Sequence, residues 1–569
     1  MAGGPVVGPD GAGRHPGPPG GGGTSVTRRR QPGAASLLWV SLAAFTVAFL
    51  GTSALGLGPD EPAHYTKAAA AARGDLLGTR VTAADVRREY PLARPVDDTR
   101  AERTRARLTA RSGVYAGRYF SLPPDVAVGG LFPCFAQQRS VSAACQGAPP
   151  AARDPERVYS YVGGYPPVPY LVAGAGTLVP GSRAEKWFGA RLIGAAVALA
   201  LLAVAVALAA GGRRPAWRIA GVAVAVVPTA VFLLAVVNAS AWEIAGGLVV
   251  AAAVVRLGRD PDPTAREWAG IAVGAVALSV ARPLGPFWLV PFAVLLVARI
   301  GPARVRALWR SGRAPKVTTG VVALAAGSTL VWVRATDANL PVLGDRIPEA
   351  FRLAVSDLWL VVLQIPAIFG WNDTPVAVPW SWIYGLGLVA LVTVALVFAS
   401  ARERWTLVLA IAGTLAAAIF IAAIPFEMYR QRYAMQARYV LPFAVVIPLL
   451  VGDLLARAAD RAPRSRAADG PWYPSGTLLP ALLIAGMTVL QLVGWWTNAV
   501  RNAAGFGGFA FWGGEWSPRF GWIPWVLVAT VGVGCGLGAA VAVARSDPDA
   551  VSVRTPVPDR PGADATPGV

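Results

Sequence analysis

The chain has 569 residues, of which 54% are hydrophobic and only 15% charged. A soluble protein of this length carries far more charge, so that class is excluded. The formal net charge of +20 does not mark a nucleic-acid binder. The basic residues sit in short loops between apolar runs, where they set membrane orientation.

Residues 1–33 are rich in glycine and proline and cannot bury a core, so they read as a disordered cytoplasmic tail ending in Arg28, Arg29 and Arg30. An uncleaved apolar run follows at 34–57 and opens a polytopic membrane domain over 34–544. Residues 545–569 read as a second disordered cytoplasmic tail. About twelve runs are long enough to span a bilayer as helices. They are 34–57, 184–210, 217–236, 241–257, 267–281, 285–300, 317–335, 381–400, 405–425, 438–456, 477–496 and 521–544. With both termini inside, the inner connections GGRRPAWR, RLGRDPDPTAR, ARIGPARVRALWRSGRAPK, ARERW and LARAADRAPRSRAAD are all basic, as inner loops should be. Apolar segments near 167–180 and 353–371 are interrupted or followed by proline, and read as re-entrant or interfacial helices on the outer side. The fold class expected is an all-α polytopic protein of the plasma membrane, with the lipid bilayer as its first partner.

The long connection 58–166 then lies outside and reads as a mainly helical extracytoplasmic subdomain. It contains Cys134 and Cys145 in PCFAQQRSVSAACQG, in a compartment that permits a disulfide. Two free thiols are the alternative. Cys535 falls in a span and reads as a packing residue.

The same threading gathers uncommon polar groups on the outer side. Asp60, Glu61 and His64 follow the first span, in GPDEPAH. Asn238 and Glu243 lie in VVNASAWEIAGG, and Arg282 in SVARPLGPFW. Trp371, Asn372 and Asp373 lie in FGWNDTP. Arg430, Arg432, Arg438 and Tyr439 lie in MYRQRYAMQARYVLPF. Ionisable groups at membrane depth default to a functional reading. The plainer readings are a helix N-cap for Asp60, a simple ion pair for Glu243, and interfacial anchoring for Arg282 and Arg438. Arginine forks suit phosphate oxygens. A neighbouring carboxylate suits proton abstraction or a divalent cation, the one cofactor considered. His64 suits a metal, a phosphate, or the tuning of those carboxylates. Tyr65, Tyr165, Trp371, Trp380 and Trp382 suit stacking on sugar rings, or an interfacial aromatic belt.

In this order PDEPAH, YPPVPY, NASAWEIA, ARPLGPFW, FGWNDTP and QARYVLPF resemble the bacterial membrane proteins of domain-of-unknown-function family 2142, over roughly residues 36–535. The excess of arginine over lysine, with abundant alanine, glycine and valine, resembles a high-GC actinobacterial composition. The family is grouped with the C-type glycosyltransferases (GT-C), multi-span enzymes that use polyprenyl-phosphate-linked sugars and carry an acidic residue or pair in the first outer loop. Asp60 and Glu61 match that acidic position, which implies catalytic roles for both. The family's Asn-Pro-Ser-Gly-x-Glu turn is here Asn238-Ala239-Ser240-Ala241-Trp242-Glu243, with its proline and glycine replaced. The resemblance implies sugar transfer from a polyprenyl-phosphate donor to a cell-envelope acceptor. On this reading Asp60 is expected to serve as base or metal-organising carboxylate, with Glu61 as its partner. His64, Asn238, Glu243, Arg282, Asn372, Asp373, Arg438 and Tyr439 are the expected substrate-binding residues. A flippase for a lipid-linked glycan and a non-catalytic envelope-assembly protein are the alternatives.

Overall fold

The computed structural model describes residue 4 and residues 33–82, 117–130, 132–211, 215–259, 263–336, 338, 347–429, 436–461 and 476–546. Its helices in chain order are α1 (Ala34–Thr52), α2 (Glu61–Ala71), α3 (Val168–Ala175), α4 (Arg183–Ala210), α5 (Pro215–Ala225), α6 (Pro228–Leu234), α7 (Ser240–Leu257), α8 (Ala265–Ala281), α9 (Leu289–Ile300) and α10 (Pro302–Ser311). They continue with α11 (Arg313–Ala335), α12 (Ile347–Ser356), α13 (Leu358–Gln364), α14 (Val378–Phe398), α15 (Ala401–Tyr429), α16 (Leu441–Ala444), α17 (Val446–Arg461), α18 (Leu478–Ala504) and α19 (Ile523–Ala544). Among the described residues nine helices are long and apolar enough to cross a membrane, or eleven if two bent pairs each count as one span.

The difference from twelve expected spans has two physical sources. The expected fifth span is α8, only 17 residues long, which is short for a bilayer crossing. The third expected span is broken, and the sixth, 285–300, is short by itself and joins α10 only across a bend. Between α5 and α6 the axis turns by 68° at Pro228, which has no N–H to continue the ladder. After α9 the axis turns by 99° at Gly301, whose φ of 85° is open to glycine at little cost, and Pro302 follows. Polar signals begin other helices. Ser182 and Glu185 cap α4 reciprocally, and Thr264 and Glu267 do the same for α8, satisfying first-turn N–H groups.

Small residues let these helices approach closely, as membrane bundles require. Gly246 of α7 and Gly274 of α8 face each other so tightly that a Cβ on either would lie 2.8 Å from the other's carbonyl oxygen. Helices α1 and α19 are neighbours. Ser41 Oγ of α1 donates to the Gly532 carbonyl of α19 at 2.6 Å, and the Trp525 ring covers Gly51.

At the end of the bundle where α1 stops, the connection to α4 adds a three-stranded antiparallel sheet, β1 (Thr79–Arg80), β2 (Arg118–Phe120) and β3 (Val158–Ser160). The mainly helical reading of 58–166 did not anticipate it. Cys134 and Cys145 are joined by a disulfide, with Cα atoms 6.2 Å apart. A two-stranded hairpin, β4 (Ile368–Phe369) and β5 (Thr374–Pro375), carries FGWNDTP at the same end.

Candidate functional site

The site is built on the turn GLGPDEP. After α1 the chain turns at Gly56, with φ 84°. Asp60 then takes the left-handed conformation, φ 63° and ψ 9°, before α2 begins with Pro62 in its first turn. Aspartate tolerates that conformation better than most residues but still carries strain there. Asp60 stands at the N-cap position, yet its side chain makes no cap hydrogen bond. The simple cap reading therefore fails, and the carboxylate is turned elsewhere.

One Asp60 oxygen, Oδ2, accepts from Arg438 Nη2 at 2.6 Å, and Oδ1 accepts from the Tyr161 hydroxyl at 2.8 Å. The Asp60 side chain keeps 27% of its surface exposed, against 5% for Arg438. Burial raises its pKa, but the Arg438 charge and the hydrogen bonds from Arg438 and Tyr161 outweigh that and hold the carboxyl below its ordinary value. Asp60 is an ionised carboxylate at neutral pH.

Glu61, the adjacent residue, is in a different situation. It is wholly buried and accepts from Arg191 through both oxygens, Nε at 2.6 Å and Nη2 at 2.7 Å. Trp187 Nε1 and the backbone N–H groups of Gly58 and Val237 also donate to it. Arg191 in turn donates to the carbonyls of Ser53 and Ala54, so the pair ties the end of α1 and the start of α2 to α4. Every acceptor direction of Glu61 is used, which fits a fixed brace.

His64, one turn into α2, lies 2.8 Å from the Tyr170 hydroxyl through Nδ1 and stacks on the Tyr170 ring. Its Nε2 is buried and has no hydrogen-bond partner among the described residues. Burial pushes its pKa down to about 3, helped by the Arg282 charge, so it is neutral at physiological pH.

Three further segments close around this group. Asn238 Nδ2 donates to the Pro59 carbonyl at 2.6 Å, and its Oδ1 accepts from Ser240 N and Arg282 Nη2. Arg282 Nε lies 3.3 Å from Glu243 Oε2. Tyr439 lies under both guanidinium groups, 5.6 Å from Arg282 and 4.9 Å from Arg438, close enough for cation–π attraction. Thus Asp60, His64, Asn238, Glu243, Arg282, Arg438 and Tyr439 form one cluster drawn from four separate parts of the sequence.

Asn372 and Asp373 divide. Asn372 lines a narrow crevice with Pro59, Gln436 and Arg438. Asp373 belongs to another contact. Its carboxylate accepts from Thr374 and from the Gln137 N–H, and lies 3.5 Å from Arg501. Arg501 donates to the Phe135 and Gln138 carbonyls. The pair fastens the disulfide loop to the bundle. Arg430 and Arg432 lie outside the described residues.

Among the described residues no three His, Cys, Asp or Glu side chains come together as a metal site needs. Around Asp60 the donors are one carboxylate set against a guanidinium and a phenol, which does not fit a divalent cation. What the cluster can do is hold an anion with two arginine forks while a carboxylate and a neutral imidazole stand beside it.

Sequence reasoning missed Arg191, Tyr161, Tyr170 and Arg501, and also Asp453. Asp453 is wholly buried at the opposite end of the bundle. It accepts from Arg218 at 3.1 Å, Arg259 at 2.5 Å and Arg457 at 3.0 Å, and also from Arg299. Both Arg191 and Asp453 sit inside predicted spans, and a charge inside an apolar run is itself a signal.

The family model "Predicted membrane protein (DUF2142)" matches residues 43–447. No curated protein matches the chain. Two crystal structures of ArnT from Cupriavidus metallidurans are similar in fold at 16% identity over 90% of this chain and 76% of that one. The apo form gives a TM-score of 0.38 and the form bound to undecaprenyl phosphate 0.40.

Proposed function

The chain belongs to the DUF2142 family of predicted membrane proteins, and we propose that it is a GT-C-type glycosyltransferase of the plasma membrane. In this reading the Asp60 end faces outward. The enzyme transfers a sugar from a polyprenyl-phosphate donor to a hydroxyl of a cell-envelope acceptor. The observation that carries the reading is the set of side chains at the end of α1. An ionised, partly exposed Asp60 lies on a strained residue beside two arginines, Arg282 and Arg438, that share the Tyr439 ring.

The chemistry is a displacement. The acceptor oxygen forms a bond to the anomeric carbon, and the bond from that carbon to the phosphate oxygen breaks. The electron pair leaves on the phosphate, where Arg282 and Arg438 balance its charge. The proton of the acceptor hydroxyl passes to Asp60. Arg438 holds Asp60 before substrate arrives; an entering phosphate competes for the same guanidinium and frees the carboxylate. His64, neutral and with Nε2 unused, offers a hydrogen bond to the sugar or the phosphate. Glu61 serves as the brace that fixes Asp60, and Asn238 positions Arg282 and the Pro59 carbonyl. A flippase places its substrate groups near the bilayer midplane, whereas these groups stand at helix ends.

Asp60→Asn keeps the shape but cannot take a proton near neutral pH. It should retain fold and expression and lower sugar transfer by roughly 10²-fold or more. The measurement is transfer from a polyprenyl-phosphate sugar donor in proteoliposomes. A folded Asp60→Asn protein with full activity ends the proposal.

A further inference from the structure

A second cavity, of about 150 Å³, opens at the same end of the bundle. It lies across the 53–61 turn from Asp60, and the transfer chemistry does not use it. Its walls come from four places. The end of α1 gives Ser53, Ala54 and Leu55; the disulfide loop and the residue after it give Phe135 and Gln146; α4 gives Ala184 and Phe188; the segment before α19 gives Trp516, Ser517 and Arg519.

These walls are held in place before any ligand arrives. Gln146 Nε2 donates to the Leu55 carbonyl at 3.2 Å, and Ser142 Oγ to Glu515 at 2.6 Å. The Trp516 N–H donates to the Ala503 carbonyl at 3.2 Å, and Arg519 pairs with Glu185 at 2.9 Å. The disulfide closes the loop behind them. A preset cavity pays little ordering entropy on binding.

The lining selects the ligand. A cavity of this volume admits one six-membered ring, not a polyprenyl chain. Three aromatic side chains, Phe135, Phe188 and Trp516, are among its walls, and aromatic rings pack well against the C–H side of such a ring. Ser53, Gln146, Ser517 and Arg519 add hydroxyl, amide and guanidinium groups to the lining. An acyl chain would strand those polar groups, at a cost. The one charge at the wall, Arg519, is already balanced by Glu185, so the lining favours a neutral ligand.

We propose that this cavity binds a single neutral pyranose unit of a glycan. It is a second carbohydrate site, separate from the one at Asp60. Naming the ligand as a glycan rests on the glycosyltransferase reading. An acceptor with one unit seated here is anchored while another unit meets Asp60.

The test is ligand-observed NMR on the full chain in nanodiscs, with methyl glucopyranoside, galactopyranoside and mannopyranoside as probes and decanoate as the apolar control. Saturation transfer to at least one glycoside is expected for the wild type and for Asp60→Asn. Ala184→Phe, which fills the cavity, and Trp516→Ala, which removes a wall, should each weaken it roughly tenfold or more. In transfer assays Ala184→Phe should raise the acceptor KM roughly tenfold with the donor KM unchanged. The proposal is overturned if no glycoside binds the wild type, if both variants bind as the wild type does, or if decanoate binds in place of the glycosides. A wild type that binds glycosides but transfers no sugar removes the transferase reading and leaves this site standing.

Discussion

Asp60 and Glu61 are neighbours in sequence with opposite fates, set by what surrounds each carboxylate rather than by its type. The acidic pair was legible; its division of labour was not, because Arg191 stands 130 residues away in the chain. The pair yields an energetic prediction. Glu61→Gln leaves the Arg191 guanidinium buried without its counter-charge, and breaking a buried pair in this way costs about 3–5 kcal/mol. A large fall in thermal midpoint is expected for Glu61→Gln and almost none for Asp60→Asn; equal stability of the two variants contradicts the brace. His64 gives a pH prediction. Its folded pKa, about 3, lies below its unfolded value near 6.5. Between those values the unfolded chain binds a proton that the folded one does not. Stability therefore falls as pH drops below about 6.5, by up to about 1.4 kcal/mol per pH unit from this group alone. The acid loss between pH 6.5 and 4 should be shallower in His64→Gln, as read by thermal melts across that range. The same melts, unchanged by the substitution, would show that His64 titrates normally.

At the scale of elements, the long apolar helices were readable from hydropathy because their length is dictated by the bilayer. The hairpin carrying FGWNDTP was not, since each strand is two residues long and no alternation can build up. Its turn places Gly370 and Asn372 in the left-handed region, at φ 63° and 65°. That aims Asn372 at the Arg438 crevice and Asp373 back toward Arg501. The motif was visible as a candidate binding segment, but only the turn geometry separates a site residue from a fastener. The disulfide loop that Asp373 and Arg501 hold closes over a sequence separation of 11, and a crosslink of that size contributes about 2–3 kcal/mol on the chain-entropy account. Cys134→Ser with Cys145→Ser should lower stability by that order while leaving the Asp60 cluster formed. Chemical denaturation of both forms measures it; an unchanged midpoint would mean that Arg501 alone fixes the loop.

For the whole molecule, charge divides the two ends. Asp60 and its arginines stand at one, and Asp453 with four arginines stands at the other. That Asp60, Asn238, Arg282 and Arg438 share one end was expected from the basic loops, because loop charge is a global property that needs no contact to be read. The arginine knot around Asp453 was not, because its members lie on α5, α9, α17 and the turn after α7, and only packing brings them together. The expected orientation puts α10 inside and the segment before α19 outside. A single cysteine at Phe509 should then react with a membrane-impermeant maleimide in intact cells, and one at Ala303 only in inverted membrane vesicles. Labelling of both from one face would dismantle this threading.

The adjacency of α1 and α19 has a consequence for how the protein is made. The first span leaves the ribosome and enters the bilayer with a face shaped by Ser41 and Gly51 that is complementary to a helix not yet synthesised. Until α19 is made, Ser41 and Gly51 lack the partners they have in the folded chain. The seam between α1 and α19 closes only once residues 523–544 have been synthesised. A nascent chain stalled before residue 523 carries α1 with that seam unpaired, so its closure is timed by α19 rather than by α1.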